Sequence, residues 1–181
     1  MAAFSKFSRI FRAPFAAVAL AAGVLAACSG GPEPKPVVCP SISTLPDATR
    51  KVAFAETGRD LTDVLYEVRI VDGLIDCERD ENVIESEFKI QFLATRGPAN
   101  KNREARFQYV VAMLDPEGVV ISREEFGLIV PFQGTQSRVV VTDTLSPTIP
   151  LNAGESPRQY RLYVGLKLSE AELEYNRKNR R

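Results

Sequence analysis

A chain of 181 residues with 23 basic and 23 acidic side chains carries no overall basic field, which argues against a nucleic-acid partner. Histidine is absent, so Ser-His-Asp and Cys-His nucleophile systems and nearly all zinc and copper sites are excluded. Neither a cofactor nor enzymatic activity is expected.

The first element has three parts. Lys6, Arg9 and Arg12 precede an apolar run from Ala13 to Leu25, and the small residues Ala26 and Ala27 follow. That layout is a secretory signal, and the apolar run, about 15 residues with Ala26 and Ala27 included, is short of the roughly 20 that span a bilayer. The stretch Leu25-Ala26-Ala27-Cys28 resembles the lipobox of bacterial lipoproteins. The resemblance implies cleavage after residue 27 and lipidation of Cys28, since a plain signal needs no cysteine there. Two or three acyl chains would hold the protein firmly, where one is marginal. Ser29, where aspartate would favour retention, implies the outer membrane, with the inner membrane still open.

Residues 1–27 contain three basic side chains and no acidic one, so residues 28–181 carry 20 basic against 23 acidic, a balance of −3. They suffice for one domain with its own core. Residues 28–38 form the tether, in which Pro32, Pro34 and Pro36 favour extended polyproline II and hold the domain off the membrane. With Cys28 acylated, Cys39 and Cys77 remain. In an oxidising compartment the expectation is a disulfide between them, with two free buried thiols as the alternative. They lack the Cys-x-x-Cys spacing of a redox pair.

From residue 39 to residue 168 the dominant period is two. After a short strand near Lys51 to Ala55, Val64, Tyr66, Val68 and Ile70 share one strand face. Ile84, Phe88, Ile90, Phe92 and Ala94 share another, alternating with Glu85, Glu87, Lys89 and Gln91. Such strands belong to antiparallel sheets with one wet face. Phe107, Tyr109, Val111 and Met113 make a third row, ending in Asp115-Pro116-Glu117-Gly118, which suits a type I turn. Val119 to Phe126 returns as its partner, followed by Leu128 to Phe132, Arg138 to Asp143 and Gln159 to Leu168. About seven or eight strands of this kind predict an all-β, immunoglobulin-like antiparallel β-sandwich, with a small barrel as the other option. Residues 169–181 add a short helix and a basic tail. Ser169 and Glu172 form its capping box, acids lead and bases follow as the helix dipole prefers, and a thin apolar stripe predicts light packing and fraying.

Three stretches are candidates for function. The acidic run Asp76 to Glu81 fits no EF-hand, contains Arg79, and reads as a solvated connection between strands. The basic stretches are Arg96 to Arg103 and the tail Arg177, Lys178, Arg180 and Arg181, either of which could meet anionic headgroups or an acidic partner. The tail is the better candidate because it is a free end. The apolar run Leu128, Ile129 and Val130 precedes Pro131, which confines it to an edge or bulge. An open edge there would accept a strand from another chain.

The segments Gly58-Arg59-Asp60-Leu61-Thr62-Asp63-Val64-Leu65-Tyr66-Glu67 and Leu173-Glu174-Tyr175-Asn176-Arg177 resemble a family of small lipoproteins of Gram-negative bacteria. The likeness runs over most of residues 28–181; it implies a location and no activity. The functional expectation is a membrane-anchored, periplasm-facing module that binds or scaffolds another envelope protein. A competing reading is a carrier of lipid or another small apolar molecule, with a pocket lined by Phe88, Phe92, Phe107 and Val111. A third is a cell-wall glycan hydrolase with two converging carboxylates.

Overall fold

A computed structural model of the chain describes residues 37–55, 58–80 and 82–179. The signal, Cys28, most of the tether, Arg180 and Arg181 lie outside the described residues. The strands are β1 (Ser41–Thr44), β2 (Arg50–Phe54), β3 (Val64–Asp80), β4 (Val83–Arg96), β5 (Glu104–Leu114), β6 (Val120–Pro131), β7 (Arg138–Leu145), β8 (Thr148–Pro150) and β9 (Arg161–Leu166), and the helix is α1 (Glu170–Lys178). One sheet has the order β1-β9-β5-β6, the other β2-β3-β4-β7 with β8 beside the start of β4. Every pairing is antiparallel except that of β1 with β9. The expected all-β sandwich with a short C-terminal helix is present, with nine strands among the described residues.

The strand count differs from expectation for two reasons. The stretches Val119 to Phe126 and Leu128 to Phe132 are one strand, β6, which runs straight through Gly127. Two short strands, β1 and β8, owe their extended form to neighbours rather than to local pattern. Pro147 interrupts the chain between β7 and β8, and its carbonyl accepts a 2.6 Å hydrogen bond from Ser86 Oγ, so both strands follow the same edge of β4.

The core lies where the period-two rows of the two sheets meet. Ile84, Phe88, Ile90, Phe92 and Ala94 of β4 are fully buried, as are Ala105 and Tyr109 of β5 and Leu162 of β9. The Phe92 ring contacts those of Phe107 and Tyr109 at centroid separations of 5.2 and 4.8 Å. Tilted aromatic contacts of this kind add to the area term of about 1.5–3 kcal/mol for each buried phenylalanine. The β5–β6 turn forms as its sequence demands: Gly118 takes φ +85°, its N–H donates to Asp115 O (3.1 Å), and Asp115 Oδ1 accepts the Val119 N–H (2.7 Å).

Strand β3 is longer than the alternation suggests, because it changes face midway. A bulge between Ile70 and Asp72 inserts Val71 into the ladder. Before it, Val68 points inward; after it, Gly73, Ile75 and Cys77 stand opposite the inward-facing Ile90, Phe88 and Ser86. Val71 and Leu74 are thereby left exposed. The acidic run is therefore not a connection: residues 76–80 continue the strand, β4 begins at Val83, and Glu81 lies outside the described residues. The same parity change turns Cys77 toward the other layer, where it is disulfide-bonded to Cys39 with a Cα–Cα distance of 5.6 Å. Ile42 of β1 packs over Gly73 a few residues away.

Candidate functional site

Strand β6 is the edge of its sheet and β7 the edge of the other. The two edges lie on the same side of the sandwich. The Phe132 N–H, just past β6, donates to Arg103 O (2.8 Å). Amide direction alternates along a strand, so the even-numbered residues of β6 bond to β5, and Arg123, Glu125, Gly127 and Ile129 turn their N–H and C=O groups to the open edge. Pro131 falls in that outward register, where its missing N–H removes no ladder bond, which is why proline is tolerated there.

The same alternation sorts the predicted apolar run. Val130 is buried opposite Ala105, Leu128 is half-buried opposite Phe107, and Ile129 is 55% exposed on the outer face. The run is thus half core and half surface. Sequence reading did not single out the other apolar positions of this strand: Val120 at 54% and Ile121 at 45%, with Val119 beside them in the turn, are also exposed. The signal for them was a hairpin tip with three consecutive β-branched residues. Between them and Ile129 the outer face is charged, with Glu125 bonded to Arg123 (2.8 Å) and Lys167 (2.5 Å). Those two cations hold its carboxyl below the usual range.

Behind the two edges the layers part into a cleft of about 160 Å³ lined by Val111, Met113, Phe126, Leu145 and Leu162, with Ser122 and Glu124 from β6. Its size is below the roughly 300–1,000 Å³ typical of small-molecule sites. Of the four residues expected to line an apolar cavity, Val111 lines this cleft, whereas Phe88, Phe92 and Phe107 are buried in the core. Deeper in, Tyr109 Oη donates to Asp143 Oδ2 (2.6 Å), tying β5 to β7 across the layers. Burial, and then the hydrogen bond and charge of Asp143, push the Tyr109 hydroxyl pKa far up.

The C-terminal helix is held more firmly than its thin apolar stripe suggested. Ser169 and Glu172 form the capping box, and Glu172 also pairs with Lys51 at 2.7 Å where both side chains are largely buried. Asn176 is buried, and its Nδ2 donates to Asp47 O (2.9 Å) and Arg50 O (2.6 Å). Tyr175 meets the Phe54 ring edge-on at 5.3 Å. Polar side chains thus supply the docking that apolar counting missed. Of the basic tail, Arg177 bonds Asp47 Oδ2 (3.2 Å) and Lys178 lies 3.6 Å from Glu174.

Among the described residues, no group of three or more His, Cys, Asp or Glu side chains is placed to hold a metal ion. No helix among them is long and apolar enough to cross a membrane. No protein-family model matches the chain, and comparison with curated protein sequences finds no match.

Proposed function

We propose that this chain is a lipid-anchored β-sandwich, attached through Cys28 to the outer membrane and facing the periplasm, that binds an extended segment of another envelope protein along β6. The sequence supplies the address; the edge supplies the binding mode. The single observation that carries it is the 12-residue strand β6 at a sheet edge, with four residues turning unused backbone groups outward and apolar side chains exposed at both ends. Long open edges invite pairing with another chain, and strand addition gives affinity through main-chain bonds and selectivity through alternate side chains.

The test separates edge from face. A photo-crosslinking residue at Ile129 in living cells is expected to capture one discrete partner. Gly127→Pro removes an outward N–H and leaves the β5 ladder intact, so capture should fall about tenfold, the equivalent of one or two hydrogen bonds. Undiminished capture in the proline variant, or equal capture from Leu74 on the other sheet, would refute strand addition. Separately, Cys28→Ala should shift the protein from the membrane to the soluble fraction.

A further inference from the structure

The loop that joins β4 to β5 closes one end of the sandwich and is rigidly built. Gly97 N–H donates to Leu65 O (2.8 Å) and Ala99 N–H to Val64 O (3.0 Å), lacing the loop to the start of β3. A side chain at Gly97 would collide with the Val64 carbonyl. Asn100 is buried; its Nδ2 donates to Glu104 O (2.9 Å) and its Oδ1 accepts the Arg103 N–H (2.7 Å). Arg103 is thereby held at φ +57°, a left-handed conformation uncommon outside glycine.

Four cations gather here. Arg96 donates to Asn100 O (2.9 and 3.2 Å), and Arg103 to Phe132 O (3.0 and 3.2 Å) and Gly134 O. All those acceptors are neutral carbonyls, so the guanidinium charges are fixed in place without being cancelled. Lys101 is exposed in the loop, and Arg138 is exposed beside it, where the Arg96 N–H meets Ser137 O (2.7 Å). Among the described residues none of these four reaches a carboxylate within ion-pair distance, whereas Arg50, Lys51, Arg69, Arg106, Arg123 and Lys167 each do. At the opposite end Asp115 and Glu117 act electrostatically on Tyr160, which donates to Glu155 (2.6 Å), and Arg158 and Arg161 flank Tyr160 in sequence. The chain also enters the domain near that end, since Cys39 is bonded to Cys77, opposite Ser86. From Ser86 to Arg96 along β4 is ten residues, or roughly 33 Å.

Beside the cations lies a groove of about 430 Å³, to which Lys101 contributes directly, with Leu65, Tyr66, Asn102, Glu104 and Arg106 also in its lining. That volume is within the range of small-molecule sites; its groups are the Lys101 ammonium, the Asn102 amide, the Arg106 guanidinium paired with the Glu104 carboxylate, and the Tyr66 phenol, which donates to Arg106 O. We infer that this end of the sandwich is a binding site for an anionic glycan, a polysaccharide strand bearing carboxylates. Uncancelled cations attract the carboxylates, and their salt dependence follows from screening. The amide and guanidinium donors suit sugar hydroxyls and carboxylates. Fixed backbone contacts mean that little ordering entropy is lost on binding.

The experiment uses the full chain in detergent micelles and immobilised polygalacturonate as the probe. Binding should be lost as salt rises from about 50 to about 500 mM. The double variant Lys101→Glu with Arg138→Glu should bind about tenfold more weakly with an unchanged melting temperature, because neither side chain supports the loop. Arg158→Glu with Arg161→Glu, at the opposite end, should leave binding unchanged. No binding to polygalacturonate, or an equal loss in that second variant, overturns the site. Binding of polyglutamate or phosphatidylglycerol vesicles as tight as that of polygalacturonate overturns the ligand class. None of these results depends on β6.

Discussion

Removing the Cys39–Cys77 bond, by Cys39→Ser with Cys77→Ser, tests how the short first strand is held. The bond links residues 38 apart in sequence, and in the chain-entropy account closing such a loop removes about 4 kcal/mol of freedom from the unfolded state. The folded state loses little by the exchange, since both positions are only half-buried. Against a typical domain stability of about 5–15 kcal/mol, that loss lowers the melting temperature by about 8–15 °C. At an m-value of roughly 2 kcal/mol per molar, the urea midpoint falls by about 2 M. The m-value itself should rise, because the uncrosslinked unfolded chain exposes more surface. Urea titrations of the variant and of reduced wild type should coincide. If both instead match the oxidised protein within about 0.5 kcal/mol, the staple is not what holds residues 39–44. The β1–β9 pairing and the seating of Ile42 over Gly73 would then suffice.

Two further outcomes follow from polar contacts. Asn176→Ala strands the carbonyls of Asp47 and Arg50 that its amide serves, and should destabilise the domain by about 2 kcal/mol, read as loss of hydrogen-exchange protection in α1 before any change in β4. Alkaline titration followed by tyrosinate absorbance should show Tyr66 and Tyr109 ionising above the ordinary value of 10.0, chiefly because burial disfavours their charged forms. Tyr160 should titrate near 12, chiefly because it donates to the Glu155 carboxylate. A raised folded-state value means that this stabilisation is complete below pH 10.0 and fades as pH climbs through 12. Ionisation of all three at the ordinary value with the fold intact would contradict these contacts.

The parts of the fold legible in the sequence are those in which one local rule acts alone. The rows of β4 and β5 are uninterrupted alternations, and one buried face fixes their register. The α1 cap and the Asp115–Gly118 turn are side-chain chemistry acting within four residues. The misreadings came where tertiary contacts overrode that rule. The Val71 bulge is invisible locally, since Val71 is as good a strand residue as its neighbours; only the pairing with β4 and the bond to Cys39 require the change of face. Strict alternation from Val64 would have aimed Cys77 away from Cys39, so the expected disulfide and the expected strand faces were in conflict, and that conflict was the available signal. The stretches expected on either side of Gly127 are one strand, because the ladder with β5 carries the chain through the glycine. The helix was underestimated because Asn176 counts as polar on any apolar tally, while its two hydrogen bonds to carbonyls are what seat it.

An open twelve-residue edge is a hazard as well as an opportunity, and β6 carries three devices that restrict its use. The ladder shifts near Ile121, which bends one end of the edge. Pro131 withholds a donor at the other. Glu124 belongs to the inward-facing row, opposite Val111, yet it is exposed, because the parted layers leave room for its carboxylate. An inward-pointing charge and a bulge are ways natural sheets resist indiscriminate edge-to-edge pairing. What remains for a partner is the stretch from Arg123 to Ile129, whose outer face alternates a cation, an anion, a glycine and an isoleucine. A second strand laid there must answer Arg123 and Glu125 with opposite charges and place an apolar side chain beside Ile129. Such an edge is open to one pattern and closed to most, which is what a docking strand needs and a purely structural edge does not.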